Sequence, residues 1–591
     1  MTTTLAPAPT GNRAPHGDAA PGGARRRATG RALWFAAVAV PGLFLAVFFL
    51  WPVATMILKG FAAPDAVAHP AWSPAAWDLG GFGEVLGRPR TWRVVGLTFL
   101  QAGLGTVLSV LLGLPGAYVL YRRTFPGRAF VRAVVTVPFV LPTVVVGVAF
   151  RSLFMDMGPL GALGLDQSLT AIVVALVFFN YSVVVRTVGG FWAQLDARPE
   201  QAARALGASP LRVLRTVTLP ALAPAIASAA ALVFFFCATA FGTVLILGGS
   251  RFGTIETEIY VRTTQFLDLR AAAVLSVLQL VVVAAVLWVS GRASARRVRA
   301  LALLGAAPGE RRLRLRGLGA GGATSLAVTA VVVLGLLVWP MANLLVRSLR
   351  TADGAWTLQN YRNLAQPVAG SSVTAWQAAG TSLRTAAGAA VIAVVVGGLV
   401  ALVVSRRARS RAGRRGLALL DGVFMLPLGV SAVTVGFGFL VTLDRPLGLG
   451  VDLRASGLLV PVAQAVVAIP IVVRTVLPVL RALDPRLREA AATLGARPGR
   501  VLATVDLPLV TRPLGLAVGF AFAVSLGEFG ATAFLARPDS ATLPVVIFRL
   551  IGRPGAENFG TALAAAVVLA VVTATVMVVA EQMRGDKAGE L

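Results

Sequence analysis

The 591-residue sequence contains one cysteine, Cys237, and two histidines, His16 and His69. One thiol forms no intrachain disulfide, and so few soft ligands exclude a Cys/His metal site or a histidine-based catalytic triad. Lysine is nearly absent too: Lys59 follows Leu58, and Lys587 follows Asp586. A phosphate-cradling loop ending in Gly-Lys-Ser/Thr therefore cannot be built, so the chain is not its own ATPase of that class. Charged residues make up only 13% of the chain, with 54 basic against 25 acidic residues. The basic excess gathers at the ends of apolar runs, without the amphipathic face and interleaved aromatics of a nucleic-acid surface. Nucleic acid is accordingly not expected as a partner.

What the chain has in abundance is apolar surface. A hydrophobic content of 57% and a mean hydropathy of +0.80 describe an all-α integral membrane protein in a lipid bilayer. Apolar runs long enough to cross as helices are expected at 32–58, 94–121, 130–154, 169–192, 220–247 and 271–290. A second series follows at 325–346, 381–404, 417–442, 457–480, 509–536 and 559–580. Twelve transmembrane helices result, as two tandem six-helix units at 32–290 and 325–580. Residues 1–31, rich in Pro, Gly, Ala and Arg, read as a disordered tail, 291–324 as an Arg- and Gly-rich linker, and 581–591 as a second tail.

The halves are copies. Asp196 and Asp484, Gly207 and Gly495, Pro220 and Pro508, and the Trp51-Pro52 and Trp339-Pro340 pairs all lie 288 residues apart. A tryptophan followed by a kink or stop at the outer interface is the expectation for the last pair. The most distinctive repeated segment is polar. It runs Asp484-Pro-Arg-Leu-Arg-Glu489-Ala-Ala-Ala-Thr-Leu-Gly495-Ala-Arg-Pro498 and closes with Leu507-Pro508. Its earlier copy has Gln201-Ala202-Ala203, Gly207, Ser209-Pro210 and Leu219-Pro220, with Glu200 one residue ahead of the position Glu489 holds. Each copy predicts a short helix, a left-handed glycine that ends it, and a second helix opened by proline, with Ser209 as an N-cap.

Arginine fixes the expected orientation. Arg25–Arg27, Arg122-Arg123, Arg296-Arg297, Arg311-Arg312, Arg406-Arg407 and Arg414-Arg415 fall on one side, with both polar loops. By the positive-inside rule that side and both termini are cytoplasmic. Arg186 and Arg474, again 288 apart, read as anchors at helix ends or as ties to the neighbouring loop. Glu528 stands in the outer part of an apolar run and must face the bundle interior or an aqueous pathway, as pathway lining or as a satisfied structural carboxylate. Phe234, Phe235 and Phe236 are either pathway lining near Glu528 or simple membrane packing. Glu256 and Glu258, in the outer loop after the fifth run, are expected to meet solvent or a partner protein.

The spacing Glu-Ala-Ala, three residues, Gly, nine residues, an aliphatic, one residue, Leu-Pro resembles the coupling loop of inner-membrane permeases from ABC importers. The second copy fits throughout apart from Val505 for the usual isoleucine; the first has Gln201 for glutamate and Val217 for isoleucine. The resemblance covers nearly the whole chain from about residue 33. It implies ATPase-coupling positions at Gln201, Ala202, Ala203, Gly207, Glu489, Ala490, Ala491 and Gly495. It also implies an external substrate-binding protein and a separate ATPase subunit in two copies. It further implies that this chain binds no cofactor and that ATP is consumed by the partner. Ser525–Thr532, Thr542-Leu-Pro544, Leu245–Gly249 and Thr254–Tyr260 are similar to thiamine-importer permeases. Ferric-iron and oxyanion importers are the alternatives. A repeat-built secondary transporter gives no reason for the duplicated loop, and a membrane enzyme would need a catalytic constellation that is not visible.

Overall fold

The computed structural model describes residues 36–63, 76–249, 251–298, 311–312, 319–368, 372–406, 410–444 and 452–582. The tail 1–31, most of the linker 291–324 and nearly all of 581–591 lie outside the described residues. Helix dominates. Among the described residues the only strands are Arg123–Thr124 and Arg311–Arg312, which pair in parallel and tether the linker to the first half.

Nine helices among the described residues are long and apolar enough to cross a bilayer. In the first half they are Ala36–Gly60, Pro89–Arg122, Leu169–Gln194, Pro210–Ala238 and Leu269–Trp288, which are spans one, two, four, five and six. In the second they are Gly321–Ser348, Ala375–Val404, Leu459–Ala482 and Ala556–Ala580, which are spans seven, eight, ten and twelve. Spans three and eleven are bent pairs, Arg128–Phe139 with Thr143–Phe154 at 100° and Gly499–Thr511 with Pro513–Gly527 at 61°. Span nine is likewise in pieces, Arg411–Met425 and the short apolar helix Ala432–Thr442.

Single continuous crossings at 130–154 and 417–442 are therefore corrected. Pro138 and Pro142 lie inside the first of these runs, and Pro142 drives Leu141 out of helical geometry, so the chain turns there. Thr143–Phe154 has 12 residues and Ala432–Thr442 has 11, about 16–18 Å of helix, roughly half the hydrocarbon thickness. The fifth and eleventh runs also stop early. Their helices end at Ala238 and Gly527, and short helices Gly242–Leu247 and Thr532–Leu535 follow each break.

Proline acts differently at four other places. Wide π-helical turns at Ala46–Leu50 and Val332–Val338 run directly into Trp51-Pro52 and Trp339-Pro340. Two more, Leu214–Thr218 and Leu502–Asp506, run into Leu219-Pro220 and Leu507-Pro508. A proline has no N–H to give and its ring crowds the carbonyl four residues back; an extra residue in the turn relieves both. Of the kink or stop expected at Trp51 and Trp339, the stop is absent: the helices run on through both to Gly60 and Ser348.

Span two packs along span four, and span eight along span ten, as repeat mates should. Small residues let span two approach its neighbours closely: a Cβ on Gly113 would fall 2.6 Å from Val184 of span four, and one on Gly105 2.9 Å from the Cys237 sulfur of span five. The first helix of each half crosses over to the other. Trp51–Gly60 of span one packs on Ala432–Thr442, and span seven packs on Thr143–Phe154. Asn343 and Arg347 of span seven seal that contact by donating to the Ser152 hydroxyl (2.8 Å) and the Ser152 carbonyl (2.6 Å). With the first helices exchanged, the two halves share one hydrophobic core.

Candidate coupling loops and translocation axis

Both polar loops fold as their punctuation predicts. In the first, the helix Arg198–Ala205 carries Gln201, Ala202 and Ala203 and is closed by Gly207 at φ +82°. The Gly207 N–H donates to the Arg204 carbonyl (2.9 Å) and the Ala208 N–H to the Ala203 carbonyl (3.1 Å). In the second, Pro485–Thr493 carries Glu489, Ala490 and Ala491, and Gly495 sits at φ +80°. Its N–H donates to the Ala492 carbonyl, and the Ala496 N–H to the Ala491 carbonyl, both at 3.0 Å. Ser209 caps the next helix by accepting from the Arg212 N–H. A Cβ on either glycine would meet nothing within 4 Å, so the requirement is the left-handed conformation and not packing within the chain. Gln201 and Glu489 are exposed. Beside the glycines stand two bare leucines, Leu206 at 89% exposure and Leu494 at 88%, themselves repeat mates.

The loops are tied to the bundle by the same geometry with the charges exchanged. Glu200 accepts from the Thr218 hydroxyl (2.9 Å) and from Arg122 (3.4 Å). The residue 288 further on from Glu200 is Arg488, and the one 288 on from Thr218 is Asp506. Arg488 donates to Asp506 at 2.6 Å, and Arg406 adds a second contact at 3.4 Å. Glu200, one place out of step with the motif glutamate, is thus the anchor of its loop. Arg186 and Arg474 are exposed.

The second site lies where the halves meet. The break after span five, around Thr239–Phe241, and the break after span eleven, Glu528–Ala531, face each other. Non-helical backbone inside a bilayer persists only where protein or a cavity surrounds it. Phe241 and Phe529, repeat mates, stack with centroids 5.4 Å apart at 21°. Tyr260 and Phe548, also 288 apart, meet edge to face at 6.3 Å. Tyr260 touches Phe241 (5.4 Å) and Phe548 touches Phe529 (5.3 Å), which closes a ring of four aromatic contacts. Each such contact is worth about 0.5–1.5 kcal/mol beyond area burial. Gly242, after Phe241, lets the start of the Thr143–Phe154 helix approach: a Cβ there would lie 2.6 Å from the Thr143 hydroxyl. Its mate Gly530 does the same for Ala432, at 3.0 Å.

Carboxylates surround this centre, each engaged. Glu528 accepts from the Ala531 N–H (2.7 Å), the Thr532 N–H (3.1 Å) and the Thr532 hydroxyl (2.6 Å), capping the short helix after the break. Phe234 packs on Phe99, and Phe236 on Phe235 and Phe139; the aromatic joined to the Glu528 break is instead Phe529. Glu256 and Glu258, expected in solvent, are buried, because Thr254 opens a capped helix Ile255–Thr264 that tucks against spans two and six and against Ala432–Thr442. Glu256 accepts from Gln279 (2.9 Å) and from Ser431 of the other half (2.7 Å). Glu258 takes Arg90 and Arg262, each at 2.9 Å. The aromatic quartet escaped the sequence reading although the signal was present: aromatic residues recur at 241 and 529, and at 260 and 548, in the repeat register.

The Glu256–Ser431 bond gives a measurable tie between halves. Ser431→Ala leaves a buried carboxylate one donor short, at a cost of about 1–3 kcal/mol. Thermal unfolding of the detergent-solubilised protein should show a lower midpoint, which Ser431→Thr restores.

The sequence pattern of the family described as "Binding-protein-dependent transport system inner membrane component" matches residues 105–300. The Thiamine transport system permease protein ThiP of Escherichia coli (strain K12) is 31% identical over 474 residues, 78% of this chain and 84% of that protein. The Sulfate transport system permease protein CysT of Salmonella typhimurium is 30% identical over 245 residues, 40% of this chain and 83% of that protein. Broken helices where the halves meet, duplicated loops and this kinship define the class. The chain belongs to the inner-membrane permeases of ABC importers, multi-pass transport subunits that work with an ATPase and a substrate-binding protein.

Proposed function

We propose that this permease carries thiamine. It receives the molecule from an extracytoplasmic binding protein and draws on ATP hydrolysed by two copies of a separate ATPase subunit. The carrying observation is coverage. Similarity to the thiamine permease extends over 78% of the chain, and so over both halves, whereas similarity to the sulfate permease extends over 40%. The loops 196–210 and 484–498 face the cytoplasm and couple to the ATPase, each presenting Leu206 or Leu494 beside a left-handed glycine. This chain binds no cofactor of its own.

The test is uptake of labelled thiamine, ferric iron and sulfate by cells with and without the gene. Loss of thiamine uptake alone is expected on deletion, with recovery on complementation. Thiamine uptake that survives deletion while iron or sulfate uptake disappears assigns the permease to that substrate instead.

A further inference from the structure

We propose that Phe241, Phe529, Tyr260 and Phe548 are the specificity-determining seat of the pathway, which a solute enters by placing its own flat aromatic ring between Phe241 and Phe529. The inference rests on the thiamine reading and deepens it by naming where the ring is recognised.

Position comes first. A residue that touches its own repeat mate lies on the approximate two-fold axis relating the halves, and a path shared by both halves runs along that axis. Two such pairs touch here, Phe241 with Phe529 and Tyr260 with Phe548. Closure is the second point. The four contacts form a circuit of 5.4, 5.3, 6.3 and 5.4 Å, and Phe241 and Phe529 are both buried, so passage along the axis requires the stack to part.

The chemistry of the four positions is the third. Aliphatic side chains would close an axis as well, yet all four are rings. When the stack parts, each ring loses a face-on neighbour, and only another flat π-system restores both contacts. The backbone permits the movement, since Phe241 and Phe529 sit on the breaks and not within helices. The carboxylates beside these rings are already engaged: Glu528 accepts three hydrogen bonds, Glu256 accepts from Gln279 and Ser431, and Glu258 is paired with Arg90 and Arg262. Recognition at the seat is therefore of the ring and not of a free counter-charge. A thiamine, with two aromatic rings, meets that demand where a sulfate or a bare metal ion does not.

The experiment uses the full permease with its ATPase and binding protein in proteoliposomes, measuring labelled thiamine uptake per inserted permease. Wild type is expected to import thiamine. Phe241→Leu with Phe529→Leu keeps an apolar closure and removes the stack; uptake should fall at least about tenfold while the vesicles still retain a trapped dye. Phe548→Leu, on a different helix, should also lose uptake, and Phe548→Tyr should recover it by returning a ring. If the double leucine variant fails to insert, the Phe548 pair decides. Leucine variants that import thiamine at the wild-type rate overturn the seat and leave the thiamine reading standing. A wild-type complex that imports no thiamine overturns both.

Discussion

Cells carrying Gly495→Trp are expected to lose substrate uptake by more than about 100-fold, or about 2.7 kcal/mol of coupling, while keeping normal amounts of inserted permease. Gly495 stands at φ +80°, where an L-residue costs about 1–2 kcal/mol. That strain falls on a nine-residue surface helix and not on the bundle, so insertion should survive. The indole would project into space where a Cβ meets nothing within 4 Å, on the face that also carries bare Leu494. Gly495→Ala imposes the strain without the bulk and should lose less. Normal transport by Gly495→Trp, or loss that tracks expression, removes the loop from the coupling role.

Asp506→Ala should be the most destabilising single change in the loop anchors. Asp506 is 1% exposed and holds both Arg488 and Arg406, so its removal leaves two guanidinium groups without their anion. Breaking a buried pair costs about 3–5 kcal/mol. The lower end applies, because Arg406 is 39% exposed and regains water. Thr218→Ala, the mate change, removes one hydroxyl donor from Glu200 and should cost about 0.5–1.5 kcal/mol. Thermal midpoints of the two purified variants measure the contrast. Equal shifts would mean that Asp506 is not the centre of its network.

The apolar runs and both polar loops were legible because their signals are local. A run of about 20 apolar residues, a left-handed glycine and a proline at a helix start each act within one turn or one span. The elbows were harder to see. Pro138 and Pro142 interrupt a run that stays apolar throughout, so hydropathy continues where the backbone turns. Glu256 and Glu258 were misplaced for a different reason. Their partners Ser431 and Arg90 lie 175 and 168 residues away, and no local pattern predicts that a carboxylate will find them. The aromatic seat falls between these cases. Each ring alone is unremarkable in an apolar segment, and only the 288-residue register makes Phe241 and Phe529 a pair.

The exchanged anchors bear on the genetic history of the chain. Duplicated segments within one gene tend to be homogenised by recombination, which would copy one loop over the other. Here such a copy is penalised. Placing the first loop in the second position would set the Glu200 carboxylate against Asp506, and the reverse exchange would set Arg488 beside Arg122. Each loop is keyed to its own socket, so the two halves are held apart in sequence by the same contacts that hold the loops in place.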